Sequence, residues 1–382
     1  MNIGRVRRIH VKQPIGGLPL LPRTLYRSKL PSLAPSLAVA CFTSILTVSS
    51  AVAADQPAKL YEDTPVRWAF GSIQVENDLF ANIANTDRHY TNGLQASFLS
   101  APTELPGLLK DIATIRVPFA AQGSPATHRL GIALGHTIFT PDDTSTRAAI
   151  ADDRPYAAWL HLTLTLQTLW ETAHAGSYQD QWKIDVGVVG PAAGGRFVQN
   201  NWHKLIGADS ANGWSNQLRN EPALNVTFER AWNTPELAPG SLGGFEIDAI
   251  PYVVAALGNV QTYAGGGATF RIGPDLPDDF GPARIYPGIG GSEVFTPEPG
   301  FNWYLFAGVE GRAIGRDMFL DGNLFSQSHS VDKRHFVSDL RLGAVAFWDD
   351  LRLSFAHIYR TKEFSSQTKA DQFGSLSLGV AF

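Results

Sequence analysis

Residues 160–167 read LHLTLTLQ. Leu160, Leu162, Leu164 and Leu166 point one way, and His161, Thr163, Thr165 and Gln167 the other, because successive side chains of an extended chain leave on opposite faces. A period of two held over that length specifies a strand with one apolar and one polar face. The pattern recurs at Leu130, Ile132 and Leu134, at Ile184, Val186 and Val188, at Leu224, Val226 and Phe228, and at Phe245, Ile247 and Ala249. It returns at Leu340, Leu342, Ala344 and Ala346, at Leu351, Leu353 and Phe355, and in a closing run of Leu376, Leu378, Val380 and Phe382. Beyond the N-terminal region no stretch approaches the roughly 20 apolar residues of a membrane helix.

Two environments produce such strands. A soluble sandwich buries the apolar face, whereas an outer-membrane barrel shows it to lipid and keeps polar groups in its lumen. Aromatic residues near strand ends (Trp68, Trp159, Trp170, Trp182, Trp232, Trp303, Trp348 and Tyr359) favour the barrel, as an interfacial girdle. Closure also removes the sheet edges that lipid cannot tolerate. The expected fold is an all-β, transmembrane, antiparallel β-barrel with room for about ten to fourteen strands. Phe382, ending an alternating strand, resembles the C-terminal signal by which bacterial outer-membrane proteins reach the barrel-assembly machinery. His161 and His357 are expected to face the lumen. Pro/Gly-rich runs mark loops, and the longest, Gly273–Pro299, is expected to be functional or mobile rather than a plain turn.

The N-terminus has a different character. Arg5, Arg7, Arg8, Lys12, Arg23, Arg27 and Lys29 precede an apolar run, Leu33–Ala54, that ends in small residues. This is the layout of a secretory signal peptide with a cleavage site near Ala53 or Ala54. Residues 1–54 are therefore read as leader and residues 55–382 as one barrel domain in the bacterial outer membrane. The leader carries +7, which leaves −11 for the rest of a chain whose net charge is −4. That balance excludes a nucleic-acid partner, which requires a basic face. The one cysteine, Cys41, lies in the leader, so the mature chain has no disulfide, thiolate metal site or cysteine nucleophile.

One segment breaks the rhythm: DVGVVGPAAGGRFVQNNWHKLIGADSANGWSNQLRN, residues 185–220. A strand enters a Gly/Pro turn and a short helix follows near residues 197–206. Val198, Trp202, Leu205 and Ile206 form its apolar stripe, and Gly207 ends it. Gln199 and His203 lie one turn apart beside that stripe. A neutral imidazole takes a proton from water near pH 7, so His203 is a candidate general base, with Asp209 placed to hold the other ring nitrogen. A partly buried histidine with a satisfied hydrogen bond is the plainer reading. A second polar cluster lies where the first hairpin begins and ends, with Asn77 and Asp78 before the turn and Asp87-Arg88-His89-Tyr90-Thr91 after it. Neighbouring strands let Asp78 and Thr91 face one another, and hard oxygen ligands of this kind suit Ca2+ rather than zinc. Composition alone favours an ordinary polar turn. Arg147 and Arg154, in the loop after an alternating strand, are placed either to meet phosphate by forked hydrogen bonds or to be solvated.

Taken together, ENDLF, TDRHYTNGL and DVGVVGPAAGGRFVQNNWHKLIGA resemble the outer-membrane lipid A 3′-O-deacylase (LpxR-type) family, and the resemblance runs from about Trp68 to Phe382. It implies a barrel of about 12 strands whose calcium-dependent site faces the outer leaflet and hydrolyses the 3′-acyloxyacyl ester of lipid A in lipopolysaccharide. By the same resemblance the catalytic residues are His203, Asn77, Asp78 and Thr91, with Asp209 in place of a family glutamate. Asp78 is the metal ligand. Thr146-Arg147 stand where the family has a Lys-Arg pair, and Arg147, Arg154 and Gln199 are expected to bind substrate. Two rivals keep the barrel: a porin or adhesin, which needs no histidine helix, and a serine-type phospholipase. The nearest serines for the latter, Ser210 and Ser215, sit in no nucleophile motif.

Overall fold

Each alternating run forms a strand. The structure, a computed structural model, describes residues 67–81, 87–113, 123–172, 177–233, 240–287 and 292–382. The expected leader and Cys41 lie outside these. The strands are β1 Phe70–Asn77, β2 His89–Leu99, β3 Gly123–Thr140, β4 Ala157–Thr172, β5 Ser177–Val189, β6 Glu221–Asn233 and β7 Gly240–Leu242. They continue with β8 Phe245–Gly258, β9 Gln261–Gly273, β10 Glu298–Asp317, β11 Phe336–Asp349, β12 Leu351–Arg360 and β13 Asp371–Ala381. Among the described residues three helices interrupt them: α1 Gly107–Ala113, α2 Gly195–Ile206 and α3 Met318–Asp321.

All pairings are antiparallel. β1 meets β13, from Phe70↔Ala381 to Asn77↔Gly374, which joins the two ends of the sheet. β6 meets β8, from Asn225↔Gly258 to Ala231↔Tyr252, and closes the ring. Twelve strands make the closed barrel, and β7 is a short arm on β8.

The faces are inverted relative to a soluble protein. Ile73, Leu134, Leu164, Val186, Leu224 and Leu378 are exposed on the outside, while Gln74, Thr163, Asn225, Asp248, Arg271 and Asp339 are buried inside. Such a surface suits hydrocarbon. Among the described residues no helix is long and apolar enough to cross a membrane. Several lumen charges are matched. Asp339 accepts from Arg284 at 2.8 Å, Arg360 at 2.9 Å and Arg312 at 3.3 Å. Arg230 forks onto Asp180 at 2.6 and 2.7 Å, and Arg271 lies between Asp248 and Asp279.

The barrel has a rim that carries the start of β1 and the end of β13, here the termini rim, and a distal rim where β1 turns into β2. Trp68 and Trp348 are exposed near the first, as a girdle requires. Trp159 is not part of it: the residue is buried and stacks on inward-facing His161 at 3.9 Å. His357 shares the outward parity of Leu353 and Phe355, so it faces outside, 4.3 Å from Tyr359, and not the lumen.

The long Gly273–Pro299 loop enters the lumen from the termini rim. Asp279, Phe280, Arg284, Tyr286, Ser292 and Phe295 are buried. Gln74 donates to the Ala283 carbonyl at 3.0 Å, Gln167 to the Ser292 hydroxyl at 3.1 Å and Arg352 to the Ser292 carbonyl at 2.8 Å. These bonds come from β1, β4 and β12, so the loop is an internal plug.

Candidate active site

The break after β5 builds a ledge on the outer wall. Pro191–Ala193 make one 3-10 turn, Gly194 follows at φ +75°, and α2 begins. A Cβ on Gly195 would stand 2.5 Å from both the Ala158 methyl and the Trp214 ring, so only glycine lets the helix start this close to the wall. Beneath it Ile138, Tyr156, Ala158, Ala193, Ala211 and Trp214 form an apolar cluster. Gly207, at φ +73°, closes the helix by donating to the His203 carbonyl.

The helix is turned over relative to a soluble one. Phe197 and Leu205 are 74% and 77% exposed, whereas Gln199 and His203 are buried. The apolar stripe therefore faces away from the protein and the polar pair faces the barrel.

His203 is held at both ring nitrogens. Nδ1 meets the backbone carbonyl of Asp209, and Nε2 lies 2.5 Å from the Asp87 carboxylate. Two acceptors demand two donors, so this geometry is that of an imidazolium. The Asp87 carboxylate, with the Asp209 carbonyl behind it, holds the ring above the usual histidine value against the opposing effect of burial. Gln199 tethers Asp87 in turn. Its Nε2 donates to Asp87 at 2.8 Å, and its Oε1 accepts from Trp214 Nε1 at 2.8 Å.

Asp78 opens a single 3-10 turn after β1 and is buried. It accepts from the Arg88 backbone N–H at 2.7 Å. Burial, with Asp87 as the like charge beside it, pushes its carboxyl well above the ordinary range. Asp87 thus couples to both His203 and Asp78, which brings helix and hairpin to one place. Asn77 accepts from Leu79 N–H at 2.8 Å and donates to the Thr91 carbonyl at 3.0 Å. The Thr91 hydroxyl bonds Thr140 at 2.7 Å across a bulge in the β2–β3 register. The return of the hairpin is pinned at His89, where φ is +61° and Nδ1 lies 2.6 Å from Asp371.

Four sequence expectations change. Asp209 orients the imidazole through its backbone carbonyl, not its carboxylate. Gln199 bonds Asp87 and Trp214, so it positions the acid rather than presenting a free amide to substrate. Arg154 is buried, stacked 4.8 Å over Phe139 and paired with Glu363 at 3.0 Å, which removes it from phosphate contact; Arg147 stays exposed on its loop. The Thr91 hydroxyl points at Thr140. Asp87 enters the sequence reading only as one member of the hairpin's polar cluster. It lies in the TDRHYTNGL run, but its pairing with a helix more than a hundred residues later has no local signature.

The residues fit a hard cation in donor chemistry. A buried carboxylate with a second carboxylate beside it is relieved by positive charge, and both offer oxygen alone. Among the described residues no group of three or more His, Cys, Asp or Glu side chains forms a metal centre, so neutral oxygens, water or substrate would complete the shell.

Comparison with known proteins agrees with this fold. LpxR from Salmonella typhimurium superposes with a TM-score of 0.63 at 24% identity, over 82% of this chain and all of that one. An outer membrane channel from Pseudomonas putida F1 reaches only 0.39 at 14% identity, over 86% of this chain and 100% of the other. The beta domain of the Bordetella autotransporter BrkA reaches 0.41 at 9%, over 82% and 98%. No curated protein matches the chain. The family model described as outer membrane protein LpxR matches residues 37–382, the whole of the barrel and its site. The chain belongs to the outer membrane protein LpxR family.

Proposed function

We propose that this protein is a lipid A deacylase that hydrolyses the 3′-O-linked acyloxyacyl ester of lipopolysaccharide with the help of calcium. One observation carries the reading: His203, buried on the inner side of a helix whose apolar stripe faces the lipid, pairs with the part-buried Asp87, beside the buried Asp78. An ester at the membrane surface reaches such a site without its acyl chains leaving hydrocarbon.

The Asp209 carbonyl keeps a proton on Nδ1, so the neutral ring carries its lone pair on Nε2. Asp87 turns from Nε2, and Nε2 takes a proton from water, which attacks the ester carbonyl. The ring then returns that proton to the leaving oxygen. Gln199 and Trp214 set the range of Asp87. The amide hydrogen of Asn77 left after its bond to Thr91 is the donor for the developing oxyanion. Arg147 is the exposed cation for a glucosamine phosphate. Calcium, held by Asp78 with Asp87 beside it, would supply Lewis-acid polarisation of the carbonyl.

The plug within the lumen disfavours an open porin. Ser210 and Ser215 are exposed, and neither bonds His203 among the described contacts, which disfavours a serine hydrolase. The test is release of 3′-acyloxyacyl groups from lipopolysaccharide by the purified protein, with calcium and with chelator. Loss of release in His203→Ala and in Asp78→Ala is expected; full activity in either variant removes the role assigned to it.

A further inference from the structure

Glu76 is fully buried and lies directly before Asn77 and Asp78. Its carboxylate accepts from the backbone N–H groups of Ile285 at 3.0 Å and Tyr286 at 3.3 Å, both at the inner tip of the plug. It also accepts from the Tyr90 hydroxyl at 2.8 Å and from Gln74 at 3.3 Å. Tyr90 in turn directly precedes Thr91, whose carbonyl holds Asn77. We propose that Glu76 is a positioning residue through which the plug, entering from the opposite rim, sets the Asn77–Asp78 end of the active-site hairpin. The proposal rests on the hydrolase reading above.

Three features set this carboxylate apart from the arginine-matched lumen acids. Two of its donors are consecutive backbone amides, which cannot swing away as a side chain does. The plug tip is fixed from behind: the Tyr286 hydroxyl donates to Asp317 at 2.9 Å and accepts from Gln261 at 2.8 Å, and the Tyr286 ring stacks on Tyr90 at 5.1 Å. Space is reserved for the Tyr90 bond as well. A Cβ on Gly93 would stand 2.2 Å from the Tyr90 hydroxyl, which gives the glycine of the YTNGL run a reason that hairpin geometry alone does not. Both strands of the hairpin are thereby tied to one object at the residue before each functional group.

The test uses the full barrel in detergent micelles, with Glu76→Gln and the milder Tyr90→Phe. The amide of glutamine keeps the shape but turns a donor toward the plug's N–H groups. Hydrogen exchange of peptides covering residues 77–91 is expected to quicken about 10-fold in Glu76→Gln and about 3-fold in Tyr90→Phe, as for loss of a buried hydrogen bond. Peptides of β4 and β5 should keep their protection. The calcium concentration for half-maximal hydrolysis should rise in the same order, a shift that a smaller folded fraction does not produce. Unchanged hairpin exchange in both variants, or loosening of β4 and β5 alongside the hairpin, overturns the proposal. If Glu76→Gln does not fold, Tyr90→Phe decides by the same readouts. A wild-type protein that hydrolyses nothing while its hairpin still loosens in the variants defeats the hydrolase reading and leaves the tie standing.

Discussion

Asp339 and Asp78 are both buried acids of one barrel, and they differ in what surrounds them. Asp339, in the lumen, meets three guanidinium groups within 3.3 Å. Asp78, at the distal rim, meets backbone N–H groups and the field of a second carboxylate. A buried charge that is fully matched belongs to the scaffold, whereas one left in like-charged company at a rim has a valence for something that arrives. The same contrast separates the plug, closed on all sides by its own bonds, from the ledge of α2, whose apolar face is left to the membrane.

The sharpest way to break that comparison is to neutralise each acid. Asp78→Asn should lower hydrolysis by about 10²- to 10³-fold, the scale of a lost electrostatic partner in the transition state. It should also remove a repulsion. A carboxyl raised in the folded state weakens the fold as pH climbs from the unfolded value through the folded one, so at neutral pH the variant should unfold about 2 °C higher. Asp339→Asn should do the reverse: three arginines lose their counter-charge, at a cost of about 3–5 kcal/mol. Thermal unfolding followed by gel mobility or circular dichroism, beside an activity assay, checks both. Equal losses of stability in the two variants would erase the distinction.

A smaller effect concerns His203. Its folded value is raised, so the pairing with Asp87 contributes fully below the unfolded histidine value, near 6.5, and fades as pH rises through the folded value. The neutral base appears only above that point. The acid limb of the pH–rate profile is therefore expected above 6.5, and Asp87→Asn should move it down, because the largest raising contact is lost. A limb that stays in place in Asp87→Asn would show that the acid does not act on the ring.

How much of this the sequence carried depends on the range of the interaction. The strands are legible because alternation is local, and the ledge because Gly194, Gly195, Gly207 and a helical stripe lie within fourteen residues. Trp159 lies near a strand end but on the inward face, and His357 follows the outward parity of Leu351, Leu353 and Phe355, so in both cases the face within the strand decides. The pairing of Asp87 with α2 and of Glu76 with the plug has no local signature, since the partners lie 112 and 209 positions away. Asp209 lay at the right spacing, but sequence cannot tell a carboxylate from the carbonyl of the same residue.

The smallest expected effect separates the two loop arginines. Arg147→Ala should raise KM about 3-fold and leave stability unchanged, as for an exposed contact. Arg154→Ala should lower stability instead, because Glu363 then loses the nearer of its two guanidinium partners and keeps only Arg360 at 3.6 Å. Kinetics and unfolding of the pair check this directly.

On the proposed reading His203, on the inner side of a lipid-facing helix, cleaves an acyl ester of lipid A. Mass spectrometry of lipid A from cells expressing the wild-type protein or His203→Ala, at equal barrel levels, tests it most directly. The expected result is lipid A lighter by one acyloxyacyl group with the wild type and intact with the variant. Intact lipid A with both, or the lighter species with both, contradicts it.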